Sequence, residues 1–262
     1  MEVRYITNSA KIYPDMIKII IYNEPKAVPV GYRQRGKREK KENYIPSTRS
    51  IMRTRQNLQD LVKCNRFELF CTFTFDRRKI DRYNLNACYL AMSKWLHNQK
   101  ALNSPALAYV IVPERHKDGA IHFHALINGF CGRLKPSGHF QNGREVFNIT
   151  GYRSGFSTAV KIDNVDKVSS YVRKYITKDM VKDFGRRRYF ASRNLIRPVK
   201  QTNTNYFEDC LPFGRKEVFE GSDFTIYELD PHFCQKVLDK KLASNYINNI
   251  PPFKNSVMSH NV

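Results

Sequence analysis

The sequence predicts an α+β fold built on an antiparallel sheet. Three observations carry that expectation. Residues 66–76, "RFELFCTFTFD", alternate with a period of two, as a strand with one buried face does. Residues 106–114 and 120–129 are two further apolar runs joined by a short turn, which reads as a hairpin. Stretches with helical spacing, 50–65, 81–100 and 166–181, fall between the strand-like runs.

Each element has its own signal. Residues 1–32 read as two short strands with proline-containing loops. Residues 33–55 hold nine Lys/Arg against two Glu, and their first part reads as an exposed basic loop. From Ser50, taken as an N-cap, "SIMRTRQNLQDLVKCN" places Ile51, Leu58, Leu61 and Val62 at roughly helical spacing. Arg49, Arg53 and Arg55 cluster near its start and point to phosphate contacts, with a solvated face as the plain alternative.

In 66–76, Phe67, Leu69, Cys71, Phe73 and Phe75 make one apolar face, and Thr72 and Thr74 mark the other as facing solvent or ligand. Residues 81–100 carry Leu85, Tyr89, Met92 and Leu96 on one stripe, with Trp95 beside it and Asp81 near the start. A fourth strand is expected over 150–162, and a basic turn with a short strand over 185–199. The tail beyond 200 has mixed signals.

Composition narrows the function. The chain has 262 residues, 41% hydrophobic and 13% aromatic, enough for a core. Forty-five Lys/Arg against 24 Asp/Glu give a net charge of +21, which calls for a polyanionic partner, nucleic acid first. No apolar run reaches the roughly 20 residues that span a bilayer, and the N-terminus lacks the order of a signal peptide. Six scattered cysteines without a C-x-x-C pair read as reduced thiols, with Cys71 and Cys88 packing in apolar segments. The expectation is a cytosolic protein. "GYRQRGKR" (31–38) has P-loop spacing but carries Arg38 where Ser or Thr would bind Mg²⁺, so it is set aside.

The chemistry centres on "IHFHALI", residues 121–127. His122 and His124 are one residue apart on a strand and share a face. Glu114 ends the preceding strand. A two-residue Asp118-Gly119 turn would point Glu114 to the opposite face. A three-residue loop, Lys117-Asp118-Gly119, with Gly119 left-handed in a G1 bulge, would pair His116 with Ala120 and Glu114 with His122. We expect the three-residue loop. Two imidazoles and a carboxylate suit Mg²⁺ or Mn²⁺ with positions left for a phosphate. Zinc is a further option, and two satisfied strand histidines are the plain alternative.

Residues 166–181 read as a helix. Val165, Val168, Val172, Ile176 and Met180 make its apolar face. Tyr171, Lys174, Tyr175 and Lys178 make a second stripe. Ammonium groups beside a phenol favour the phenolate, and a metal-bound phosphate is the matching electrophile. The alternative is two tyrosines packing at a rim beside solvated lysines.

Taken in order, "FCTFTFD", "IHFHALI" with Glu114 upstream, and "YVRKYITKD" resemble the three motifs of the HUH endonucleases that initiate rolling-circle replication in small single-stranded DNA phages and plasmids. The resemblance covers roughly residues 50–199, and its two tyrosines are similar to the two-tyrosine initiators. It implies an RRM-like, ferredoxin-like core whose antiparallel sheet carries the metal site. It implies His122, His124 and Glu114 as metal ligands, Tyr175 as main nucleophile and Tyr171 as second, with Lys174 and Lys178 stabilising phosphate or phenolate charge. Arg53, Arg55, Arg186, Arg187 and Arg188 are candidate DNA contacts.

The expected organisation is a basic N-terminal extension (1–49), the endonuclease domain (50–199) and a C-terminal extension (200–262) too short for a helicase. The expected partners are single-stranded origin DNA and a host helicase and polymerase, in the cytoplasm of a bacterial host. An HUH transposase or relaxase, and a non-catalytic RRM-like nucleic-acid-binding protein, are the competing readings. Relaxases usually add a third histidine to the cluster, and neither His116 nor His139 has that spacing.

Overall fold

The computed structural model describes residues 2–31, 47–163, 188–203 and 215–230. In chain order these form β1 (Val3–Ile12), β2 (Ile17–Pro29), α1 (Thr48–Cys64), β3 (Leu69–Phe75), α2 (Leu85–Leu102), β4 (Ala108–Arg115) and β5 (Ile121–Asn128). They continue with β6 (Leu134–Gln141), β7 (Arg144–Ile149), β8 (Gly155–Lys161), β9 (Phe190–Ala191), β10 (Val199–Thr202), β11 (Arg215–Glu220) and β12 (Phe224–Leu229). The fold class is the α+β one expected: two antiparallel sheets with, among the described residues, two helices. Neither of these helices is long and apolar enough to cross a membrane. The helix expected over 166–181 lies outside the described residues, as do Tyr171, Lys174, Tyr175, Lys178, Arg186 and Arg187.

The chain divides into two compact units, residues 36–197 and the two flanks, 1–35 with 198–262. In the flanking unit the sheet order is β10-β1-β2-β12-β11. Ala10, Ile17, Ile19 and Leu229 form its buried cluster. Strands from the two ends of the chain are therefore direct neighbours: β1 pairs β10 through Ala10 and Gln201, and β2 pairs β12 through Ile19 and Tyr227.

The central unit is built on a seven-stranded sheet, β6-β7-β8-β3-β5-β4-β9. Its two faces differ. On the first, Cys71, Phe73 and Phe75 of β3, Ile111 of β4 and Phe123, Ala125 and Ile127 of β5 pack against Leu85, Cys88, Met92, Trp95 and Leu96 of α2. Complete burial of such side chains stabilises by about 1.5–3 kcal/mol each. Phe73 makes an edge contact with Tyr152, and Phe75 with Phe123. Burial drives the Cys88 thiol up to about 12, so it stays a neutral packing group, as expected.

On the second face, Leu58, Leu61 and Val62 of α1 cover Val110, Val112 and Leu126 at one end of β4 and β5. Asn65, just past α1, fastens this end: its side chain donates to the Leu61 and Ile196 carbonyls and accepts from the Ile196 N–H.

Two helix starts differ from the sequence reading. Ser47, not Ser50, caps α1: its hydroxyl accepts from the Ser50 N–H. Ser50 already lies inside the first turn, where its own hydroxyl receives Arg188. Helix α2 begins after Asn84, whose side chain accepts from the Asn86 and Ala87 N–H groups. Asp81 instead closes a turn by accepting from the Tyr83 N–H. The β6–β7 hairpin was not anticipated. Its turn carries Asn142 and Gly143 at φ 51° and 75°, the left-handed pair that an Asn-Gly hairpin uses.

Candidate active site

The β4–β5 turn decides what meets on the second face. The His116 N–H donates to the Ala120 carbonyl, and the Gly119 N–H donates to the His116 carbonyl. Gly119 has φ +84°, the left-handed conformation that a G1 bulge requires. Asp118 braces the turn by accepting from the Ala120 N–H, and this bond leads in holding its carboxyl below the usual range. The loop is the expected three-residue one, and Glu114 sits directly across from His122.

Strand β3 supplies the next column. Thr74 pairs with His122 and Thr72 with His124. The Thr74 hydroxyl lies 3.2 Å from His122 Nδ1, and the Thr72 hydroxyl lies 3.2 Å from His124 Nδ1. Each imidazole is thus oriented from behind by a hydroxyl on the neighbouring strand. The alternation of β3 had marked these threonines as ligand-facing. Their partnership with the histidines was not read from sequence, and only the β3–β5 register reveals it.

Glu114 Oε2 is in direct contact with His124 Nε2. These side chains are 21% and 12% exposed, so the pair is sheltered yet open on one side. Phe70 lies parallel to the His124 ring, 6.0 Å between centroids. The His122 ring stacks on His116 instead, at 5.1 Å. Burial first, then the neighbouring His116 and His124, hold the His122 imidazole below its ordinary range and favour its neutral form.

His116 is a site neighbour that sequence reading set aside. Its signal was present: two residues from Glu114 on the same strand edge, it shares that face. Its Nδ1 lies 3.3 Å from Asp118 Oδ1, and Asp118 also receives Arg82.

Glu114, His122 and His124 therefore share one patch of sheet, engaged as two pairs, Glu114 with His124 and His122 with His116. Among the described residues no group of three or more His, Cys, Asp or Glu side chains is arranged to hold a metal ion. Binding one here requires Glu114 and His124 to part.

The basic residues are spread differently. Arg53 is exposed on α1 and Arg55 half-buried. Arg188 donates to the Ser50 and Thr54 hydroxyls at 3.0 and 3.1 Å, which ties the segment before β9 to α1.

Residues 68–180 match a family model described as a replication-associated protein of the ORF2 type. The match runs from β3 past all three candidate ligands. It supports a replication-associated protein of the rolling-circle initiator kind. No curated protein and no solved structure matches the chain.

Proposed function

We propose that this protein nicks and re-joins single-stranded origin DNA by metal-dependent tyrosine transesterification, as an HUH-type initiator of rolling-circle replication. One observation carries the reading. The odd-length β4–β5 loop puts Glu114 on the face of His122 and His124, within a segment that matches a replication-associated family.

The residues have distinct tasks. In the metal-free chain, Glu114 and His124 share a proton between Oε2 and Nε2. Losing it frees one carboxylate oxygen and one imidazole nitrogen. With His122 these make a set of two imidazoles and one carboxylate suited to Mg²⁺ or Mn²⁺. Thr72 and Thr74 accept from the Nδ1–H groups, which leaves both Nε2 lone pairs facing the site. A divalent ion held there polarises the scissile phosphodiester and offsets charge on its oxygens.

Tyr175 is the nucleophile. Its oxygen bonds to phosphorus as the bond from phosphorus to the 3′ oxygen breaks. The phenol proton is lost and the 3′ oxygen gains one, leaving a 5′-phosphotyrosine and a free 3′-OH primer. The phosphodiester bond energy is retained, so re-joining needs no nucleotide hydrolysis. Tyr171 is the second nucleophile, and Lys174 and Lys178 stabilise phenolate and phosphate charge. The DNA is bound by basic residues including Arg53 and Arg55, in the cytoplasm of a bacterial host whose helicase and polymerase extend the primer.

The test uses single-stranded DNA carrying the origin of the replicon that encodes the protein. With Mn²⁺ a covalent protein–DNA adduct surviving denaturation is expected. It should vanish with EDTA and in the Tyr171→Phe/Tyr175→Phe double variant. Equal cleavage by that variant would overturn the tyrosine chemistry.

A further inference from the structure

The row of side chains that holds His122 does not stop at Thr74. Strand β8 pairs β3 on its other side, with Phe156 directly opposite Thr74. Glu114, His122, Thr74 and Phe156 are thus one cross-strand row over four adjacent strands, and their side chains share a face. Ser157 and Ala159 turn to the opposite face, where they are buried. Phe156 is 58% exposed.

The backbone is arranged to keep it there. A Cβ at Gly155 would overlap the Thr74 carbonyl oxygen and crowd Phe75 Cα, so only glycine lets β8 close on β3 at this point. The residue that follows this close approach is a large apolar ring presented to solvent. A lone exposed aromatic needs no explanation, and Phe140 on the edge strand β6 is 72% exposed. Phe156 differs by position. It stands two strands from His122, about 10 Å at the usual strand spacing. That is roughly one or two nucleotides along an extended single strand.

We infer that Phe156 is a base-stacking platform for the nucleotide flanking the phosphate held at Glu114, His122 and His124. The ligand is an unpaired base of single-stranded DNA. Every base has a π-face, so such contact adds affinity with little sequence preference, while the chain's positive charge supplies the phosphate attraction. Duplex DNA, with its bases already stacked, gains nothing from the ring. The inference rests on reading the histidine end of the row as the phosphate site.

The experiment separates the two. Binding of a labelled mixed-sequence single-stranded oligonucleotide to the full chain is measured in EDTA over a range of salt. Phe156→Ala should weaken it by about 5- to 100-fold, the loss typical of one stacked base. The slope of log K against log salt should stay that of the wild type, because no phosphate contact is removed. Phe156→Trp should restore affinity, with added emission quenched at saturation, and duplex binding should be unaffected throughout. An unchanged circular dichroism spectrum shows that the variants fold. Affinity of Phe156→Ala within twofold of wild type, or an unquenched tryptophan, overturns the inference. If the alanine variant binds weakly and no adduct forms with Mn²⁺, the platform stands and the nicking reading falls. If the adduct forms and binding is unchanged, the platform alone falls.

Discussion

The two faces of the seven-stranded sheet come from the same strands, residue by alternate residue, and they do opposite things. On the α2 face every position of β3 is spent on packing: Leu69, Cys71, Phe73 and Phe75 are all buried. On the other face, among the described residues, α1 covers only one end. The rest of that face collects Thr72, Thr74, Glu114, His122 and His124. An interior packs best when uniform, and a site needs chemically different groups held still. The sheet meets both demands because its period of two lets one strand serve each face independently.

The comparison can be broken most severely from the packed face. Phe123→Ala removes a ring that touches Phe75, Tyr89 and Phe190. It should lower unfolding free energy by about 3–5 kcal/mol in urea titrations. Metal affinity of the remaining folded protein should be near that of the wild type. Gly155→Ala attacks the seam between β8 and β3. A loss of about 1–3 kcal/mol is expected, with faster hydrogen exchange along β8 amides than along β5.

The site-bearing face should answer in the reverse sense. Thr72→Val and Thr74→Val should cost only about 1 kcal/mol of stability each. Calorimetric Mn²⁺ titration should show affinity falling about 10- to 100-fold, and nitrogen NMR should show the imidazole facing the lost hydroxyl changing its preferred tautomer. A metal affinity untouched by both variants would show that the hydroxyls only fill space.

The smallest effect concerns pH. His122 is held below its ordinary range in the metal-free fold, so between its folded and unfolded values the unfolded chain binds more protons. Stability should be full above the ordinary histidine range and decline as pH falls toward the depressed folded value, then level off. Proton NMR titration of the His122 ring checks the direction.

What the sequence made legible was whatever depends on local period. The alternation in 66–76 and the two runs around "ERHKDGA" were enough to orient the two threonines, the two histidines and Glu114, because strand parity and loop length determine facing without any tertiary information. The threonine–histidine pairs were not legible, since they depend on which strands become neighbours across some fifty residues of chain. The same holds for the flanks. Nothing local in "VRYITNSAKI" announces that it pairs with "VKQT". His116 was missed for another reason. It was weighed by its spacing from the histidine pair, although the loop geometry already placed it two residues from Glu114 on the same face.

The interleaved order of the flanking sheet has a kinetic consequence. Strands β1 and β2 are joined by a short turn and can pair as soon as they exist. Strand β12 reaches β2 only after closing a loop of about 200 residues, an entropy cost that grows with the logarithm of the intervening length. Folding of the central unit shortens that loop, because residues already packed no longer count as free chain. The flanking sheet is therefore expected to complete last. The second edge of β2 stays open until β12 arrives, most vulnerable to wrong partners while the middle of the chain is still unfolded.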